Sequence, residues 1–236
     1  TNSGSNTSQE RFTIATFPAG ASGVITITAL LSGTVTTSDI LTNTATIGWA
    51  SAEEDTTDNA ASVSNTIPCQ PAISVTNGND SGGGSLRQAI ANLCAGGAIT
   101  FAGDTTIYLD SVLALQNTLT IEGSGHTVTT SGDSGHDDDR DVQIFNISAS
   151  GVVTLRNLSV ISGTAEVGGA INNAGALTLD QVTLQDNRAT SGGALYNRGT
   201  VTLTATALQS NIASDSGGAF YNQGTATIDR AMLTGN

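Results

Sequence analysis

Lysine is missing from this chain: its seven basic residues are Arg11, Arg87, Arg140, Arg156, Arg188, Arg198 and Arg230. The missing lysine has no evident physical cause. Charge of either sign is scarce, 11% of 236 residues, and it leans acidic, with 20 Asp and Glu against 7 Arg and a formal net charge of −13. That balance argues against a phosphate-backbone ligand and against attraction to an anionic membrane surface, so nucleic acid is not an expected partner. No stretch approaches the roughly 20 apolar residues of a membrane-spanning helix, and no membrane insertion is expected of this segment. The opening TNSGSNTSQERF has neither the basic start nor the apolar stretch of a secretion signal, so the chain reads as mature, as a fragment, or as both. Two cysteines without nearby histidines cannot form a structural zinc site. His126 and His136 are isolated in sequence, and no Ser/His/Asp arrangement can be nominated.

What is present is Gly, Ser, Thr, Asn and Ala, a mixture that favours turns and β-structure and is common on cell exteriors. It is organised by repetition. GGAINNAGALTLDQVTLQDN from Gly168, GGALYNRGTVTLTATALQSN from Gly192 and GGAFYNQGTATIDRAMLTGN from Gly217 align without a gap. Their starts are almost evenly spaced along the chain, and a period of this length belongs to stacked repeats rather than to a single-copy active-site motif.

The chain divides near Pro68. Before it, RFTIATF, GVITITALL, ILTNTATIGWA and NAASVSNTI read as short β segments separated by turn material, a sandwich-type pattern. FPAGASGVITITALL, LTNTATI and DTTDNAASVSNTI resemble the later strands of Ig-like conserved-repeat modules carried in tandem by bacterial and archaeal surface proteins. The resemblance implies a partial Ig-like β-sandwich over residues 1–68, completed by preceding chain or by a neighbour.

After Pro68, ISVTNGNDSGGGSLRQAIANLCAGGAITFAGDTTIYL resembles the opening of secreted bacterial right-handed parallel β-helix proteins, in which a Ser-Leu-Arg-x-Ala-Ile helix precedes the first coil. Ser85 can cap such a helix, and Leu86, Ile90 and Leu93 fall on one face of it. Residues 69–98 are therefore expected to be linker and capping helix, covering the apolar end of a coil stack. The fold class expected over residues 99–236 is an all-β, right-handed parallel β-helix of about six coils.

The coil files follow from the alignment. Leu177, Val201 and Ala226 correspond, as do Leu179, Leu203 and Ile228, then Leu184, Leu208 and Leu233, then Ile171, Leu195 and Phe220. Val153, Leu155 and Val160 fit the same ruler one period earlier. Repetition lets each coil bury its aliphatics on the next and bond its backbone to it. The glycine pairs Gly168–Gly169, Gly192–Gly193 and Gly217–Gly218 are expected at corners that exclude a Cβ. The same GGA phrases, each with an Asn after them, resemble the repeats of the chlamydial polymorphic outer membrane proteins and related adhesins, which implies an adhesive or structural extracellular role.

Two Asn files recur, Asn173, Asn197 and Asn222, and Asn187, Asn211 and Asn236. One reading makes them a sugar-binding polar face; the other makes them amide ladders, each Asn bonding its copy one coil away. Tyr196 and Tyr221 are expected to stack, either as cover for the sheet or as a lectin platform. Cys69 and Cys94 read most simply as one disulfide between linker and helix end, with two free thiols as the alternative.

SGDSGHDDDRDVQ, residues 131–143, interrupts the coil ruler and should project as a loop. Asp133, Asp137, Asp138 and Asp139 offer carboxylates to calcium, the one cofactor suggested, although their spacing fits neither the EF-hand nor the calcium nonapeptide repeat. A solvated acidic loop is the alternative. Parallel β-helices also include polysaccharide lyases and hydrolases, which need carboxylates converging from adjacent coils. Here Asp180 aligns with Asp229, but Thr204 stands between them. The function expected is therefore a non-catalytic extracellular structural protein, a segment of a stalk or fibre meeting further coils or copies of itself end to end. An adhesin for a host, matrix or glycan ligand is the alternative, and a polysaccharide-active enzyme the third reading.

Overall fold

In a computed structural model the described residues are Thr37, 40–46, Thr57, 60–130 and 142–236. From residue 70 onward they form a parallel β-solenoid. Each turn of chain contributes short strands to a seven-stranded and a six-stranded sheet; a five-stranded sheet forms the third wall, and a three-stranded sheet runs beside the later coils.

The repeat stacks in register. Ile73, Ile99, Ile121, Leu155, Leu179, Leu203 and Ile228 are direct partners along the seven-stranded sheet. Ile107, Val128, Val160, Leu184, Leu208 and Leu233 form the corresponding file of the six-stranded sheet. Leu113, Phe145, Ile171, Leu195 and Phe220 form that of the five-stranded sheet. All three files meet in one core, where Ile99, Ile121, Leu155, Leu179, Leu203, Val160, Leu184 and Leu208 have no exposed surface. Each such aliphatic contributes about 1.5–3 kcal/mol by leaving water. A coil alone could bury only part of that surface, so the stack is the folding unit.

Register also shows where the ruler breaks. Val128, Val160 and Leu184 are successive partners in one sheet, yet the step from Val128 to Val160 is a third longer in sequence than the step from Val160 to Leu184. The excess falls around residues 131–141, which lie outside the described residues.

The corners explain the glycine pairs by two different constraints. Gly168, Gly192 and Gly217 have φ of +59°, +64° and +65°, the left-handed region where a Cβ is costly. Gly169 and Gly193 have ordinary φ but no room: a Cβ on Gly169 would lie 2.6 Å from the Gly193 carbonyl oxygen of the next coil. A second left-handed corner is occupied by side-chain-bearing residues, Asn157, Gln181, Ala205 and Arg230, with φ of 48°, 55°, 46° and 53°.

The helix α1 spans Leu86–Asn92, with Ser85 as N-cap accepting from the Gln88 N–H. It is shorter than its sequence pattern suggested. Leu93 has left the helix and opens a strand, and Ala89 rather than Ile90 joins Leu86 in full burial. Gly96 and Gly97 do not favour helix, and the extended backbone at Leu93 lets the chain pair at once with the preceding strand. The first strands among the described residues are β1 (Ile40–Thr46) and β2 (Ala60–Thr66), an antiparallel ribbon whose Thr42–Ser64 and Thr44–Ser62 hydroxyl pairs are each 2.8 Å apart. They fall within the predicted ILTNTATIGWA and NAASVSNTI segments and are shorter than them. The other strands expected of an Ig-like module, in RFTIATF and GVITITALL, lie outside the described residues.

Candidate functional site

Both Asn files point into the coils, with Asn173, Asn197, Asn187 and Asn211 buried and Asn222 and Asn236 exposed. The strand Ile171–Asn173 points Ile171 inward, Asn172 outward and Asn173 inward, and Asn173 continues a file that begins with Leu115 and Ile147. Asn173 and Asn197 have no exposed surface. Asn173 Nδ2 donates to Asn197 Oδ1 at 2.7 Å, and Asn197 Nδ2 to Asn222 Oδ1 at 2.7 Å. The second file has the same polarity: Asn187 Nδ2 donates to Asn211 Oδ1 at 3.0 Å and Asn211 Nδ2 to Asn236 Oδ1 at 2.9 Å. Each amide of this file also donates to a carbonyl one coil back, at Val160, Leu184 and Leu208. These amides are committed to one another and to the backbone, which leaves no sugar-binding face on the buried rungs.

A second polar cluster joins α1 to the first coil. Arg87 forms a 2.6 Å ion pair with Asp80 and donates to the Val112 carbonyl at 2.9 Å and the Ser111 carbonyl at 2.6 Å. The Asp110 N–H donates to Asp80 Oδ1 at 2.9 Å. Desolvation alone would raise the Asp80 carboxyl, but hydrogen bonds from Arg87 and from the Asp110 and Ser111 backbone, with the charge of Arg87, outweigh it and hold it below its ordinary value. Sequence reading missed this pairing, although Arg87 sits in the Ser-Leu-Arg motif that marks the cap.

The outer face of the seven-stranded sheet carries a column Glu122, Arg156, Asp180, Thr204 and Asp229. Signs alternate along its first three members, with Arg156 3.7 Å from Asp180 and Glu122 accepting from Asn157 at 2.8 Å. Asp180 and Asp229 are two rungs apart with Thr204 between, so this column does not set two carboxylates on adjacent coils. Beside it stands a column of threonines, Thr120, Thr154, Thr178, Thr202 and Thr227. His126, isolated in sequence, is structural in its contacts. It is 8% exposed and stacks on Phe101 at 4.8 Å between centroids. Its ring nitrogens face the Gly123 and Gly103 carbonyl oxygens.

On the outer face of the five-stranded sheet, Tyr196 and Tyr221 stack at 5.2 Å between centroids with ring planes 16° apart. Tyr196 Oη donates to Gln223 Oε1 at 3.0 Å, and the Arg198 guanidinium lies 5.7 Å from the Tyr196 ring centroid. Asn172, the preceding rung, has an enclosed Oδ1 without a hydrogen-bond partner. In the sequence Arg198 is legible only as one of seven arginines, since its place over a ring depends on the corner that follows Asn197.

The candidate calcium ligands Asp133, Asp137, Asp138 and Asp139 lie outside the described residues, as does His136. Among the described residues no three acidic, histidine or cysteine side chains gather as a metal site. Cys69 and Cys94 form a disulfide, with Cα atoms 4.9 Å apart and a sequence separation of 25. Among the described residues no helix is long and apolar enough to cross a membrane. No protein-family model, curated protein or solved structure matches the chain.

Proposed function

We propose that the chain is a non-catalytic extracellular structural protein, a solenoid segment of a cell-surface stalk or fibre built by end-to-end contact between coils. One observation carries this reading. Leu203 and Leu208 are wholly buried against the next coil, whereas their equivalents Ile228 and Leu233 are 54% and 52% exposed, beside Met232 at 59%. Ile228 and Leu233 thus form an apolar surface in the register of the inner files. In the proposed fibre, a coil of another copy stacks on this surface. At the opposite end α1 packs Leu86 and Ala89 into the core, so the proposed contact is assigned to the Ile228 face.

The disulfide is consistent with an oxidising compartment, and the family resemblances of both segments point to a cell exterior. An Ig-like module over residues 1–68 belongs to the same proposal, with β1 and β2 as two of its strands. Sedimentation velocity and electron microscopy test it. The expected result is concentration-dependent association that Leu233→Asp abolishes. A chain that stays monomeric at high concentration, with Leu233→Asp making no difference, would overturn the end-to-end reading. The adhesin reading is favoured by the Tyr196 cluster alone.

A further inference from the structure

We propose that the outward cluster of Tyr196, Tyr221, Arg198 and Gln223 binds a carboxylate-bearing sugar at the end of a neutral glycan. Arg87, Arg156 and Arg230 are each matched with an aspartate. Arg188 and Arg198 are exposed and have no carboxylate partner among the described residues, and of the two it is Arg198 whose guanidinium is held at an aromatic ring, that of Tyr196. In a chain with 20 acidic residues and 7 arginines, an arginine without an acidic neighbour is a local positive site in a negative surrounding. Its planar fork of N–H donors matches a carboxylate in bidentate fashion, which an ammonium cannot do.

The neighbouring groups suit the rest of a sugar. The chain has three tyrosines, and two of them stand on adjacent rungs of one face. Their mutual stacking and the Tyr196–Gln223 hydrogen bond hold the rings in place before any ligand arrives, which lowers the ordering cost of binding. The ring edges offer apolar surface to the C–H face of a pyranose. Gln223 uses its Oε1 on Tyr196, leaving its Nε2–H donors for a sugar hydroxyl. The column continues through Asn172 to the exposed Asn146, at the rung spacing of about 4.8 Å. A densely charged polyanion would be repelled by a net charge of −13, whereas one acidic unit on a neutral chain would not. This site stands independently of the end-to-end contacts proposed above.

Calorimetric or NMR titration of the full chain with sialyllactose and with glucuronyl-xylotriose tests the assignment, with lactose and xylotriose as neutral counterparts. At least one acidic probe should bind about tenfold or more tightly than its neutral counterpart, as expected for loss of a charge-assisted hydrogen bond. Arg198→Ala should remove that preference and Arg198→Lys should restore only part of it. Arg156→Ala, on another sheet, should leave binding unchanged. The unfolding midpoint of Arg198→Ala should match that of the parent, which separates lost binding from lost fold. Failure of both acidic probes to bind, equal binding of neutral and acidic probes, or an unaltered preference in Arg198→Ala would overturn the assignment.

Discussion

Asn197 occupies the position held by Ile147 two coils earlier and Leu115 three coils earlier, so one core file changes from aliphatic to amide partway along. Buried amides are tolerable there because every rung is bonded to the next. Removing two adjacent rungs together should therefore cost less than the sum of removing each alone. Asn197→Leu leaves the Asn173 Nδ2–H facing a methyl and should cost about 1–3 kcal/mol. The Asn173→Leu and Asn197→Leu double variant should cost less than the sum of the singles, as chemical denaturation of all four proteins would report. Strict additivity would mean that the ladder is not a coupled unit. A gain is expected at Ala205, exposed with φ of +46° in a corner where Asn157 stands two coils before. Ala205→Asn should stabilise by up to about 1 kcal/mol, because Asn tolerates the left-handed region better than Ala. An unchanged or lower midpoint in Ala205→Asn would show that the corner carries no such strain.

At the scale of elements, the junction of α1 with the first coil rests on the Asp80–Arg87 cluster and the disulfide. The Asp80 carboxyl titrates below its ordinary 3.8 in the folded protein. Its stabilising contribution is therefore fully present above about pH 3.8 and is lost as pH falls through the lower folded value. Asp80→Asn should lower stability at neutral pH and flatten the loss below about pH 3.8; an unaltered acid limb in that variant would remove Asp80 from the account. Reducing Cys69–Cys94 frees a loop of about 25 residues and should cost on the order of 3 kcal/mol by chain entropy. Melting with and without reductant measures it, and Cys69→Ser with Cys94→Ser should reproduce the reduced value.

How far these features can be read from sequence depends on the kind of constraint. Aliphatic residues such as Leu179 and Leu203 have one stable destination, and a fixed period is enough to assign them to files. The inward direction of Asn173 is also written in the sequence, in the alternation Ile171, Asn172, Asn173, but Asn suggests a corner and that expectation hides it. Leu93 reads as helix because an apolar face continues through it, whereas the glycines at 96 and 97 and the pairing with the preceding strand decide its conformation. The Asp80–Arg87 pair and the contact of Arg198 with Tyr196 depend on how loops fold back. No local pattern encodes that.

For the whole solenoid, the governing idea is that stability is a sum over coils and the contacts between them, so the coil, rather than the residue, is the unit that can be removed. Deleting positions 188–211 takes out one whole period and brings Ile212 to the place of Arg188, its own register partner. Every inner file is then preserved one coil shorter. Deleting positions 188–199 instead removes only half a period, so the strands after the join meet the wrong wall of the coil before them and lose their register partners. Circular dichroism and urea unfolding of the two deletions form the most direct test. The whole-period deletion should fold cooperatively, with a smaller denaturant slope in proportion to the lost coil, and the shorter deletion should lose the structure that follows the join. If both deletions unfold alike, or both fold alike, successive turns do not stack in the register on which the account rests.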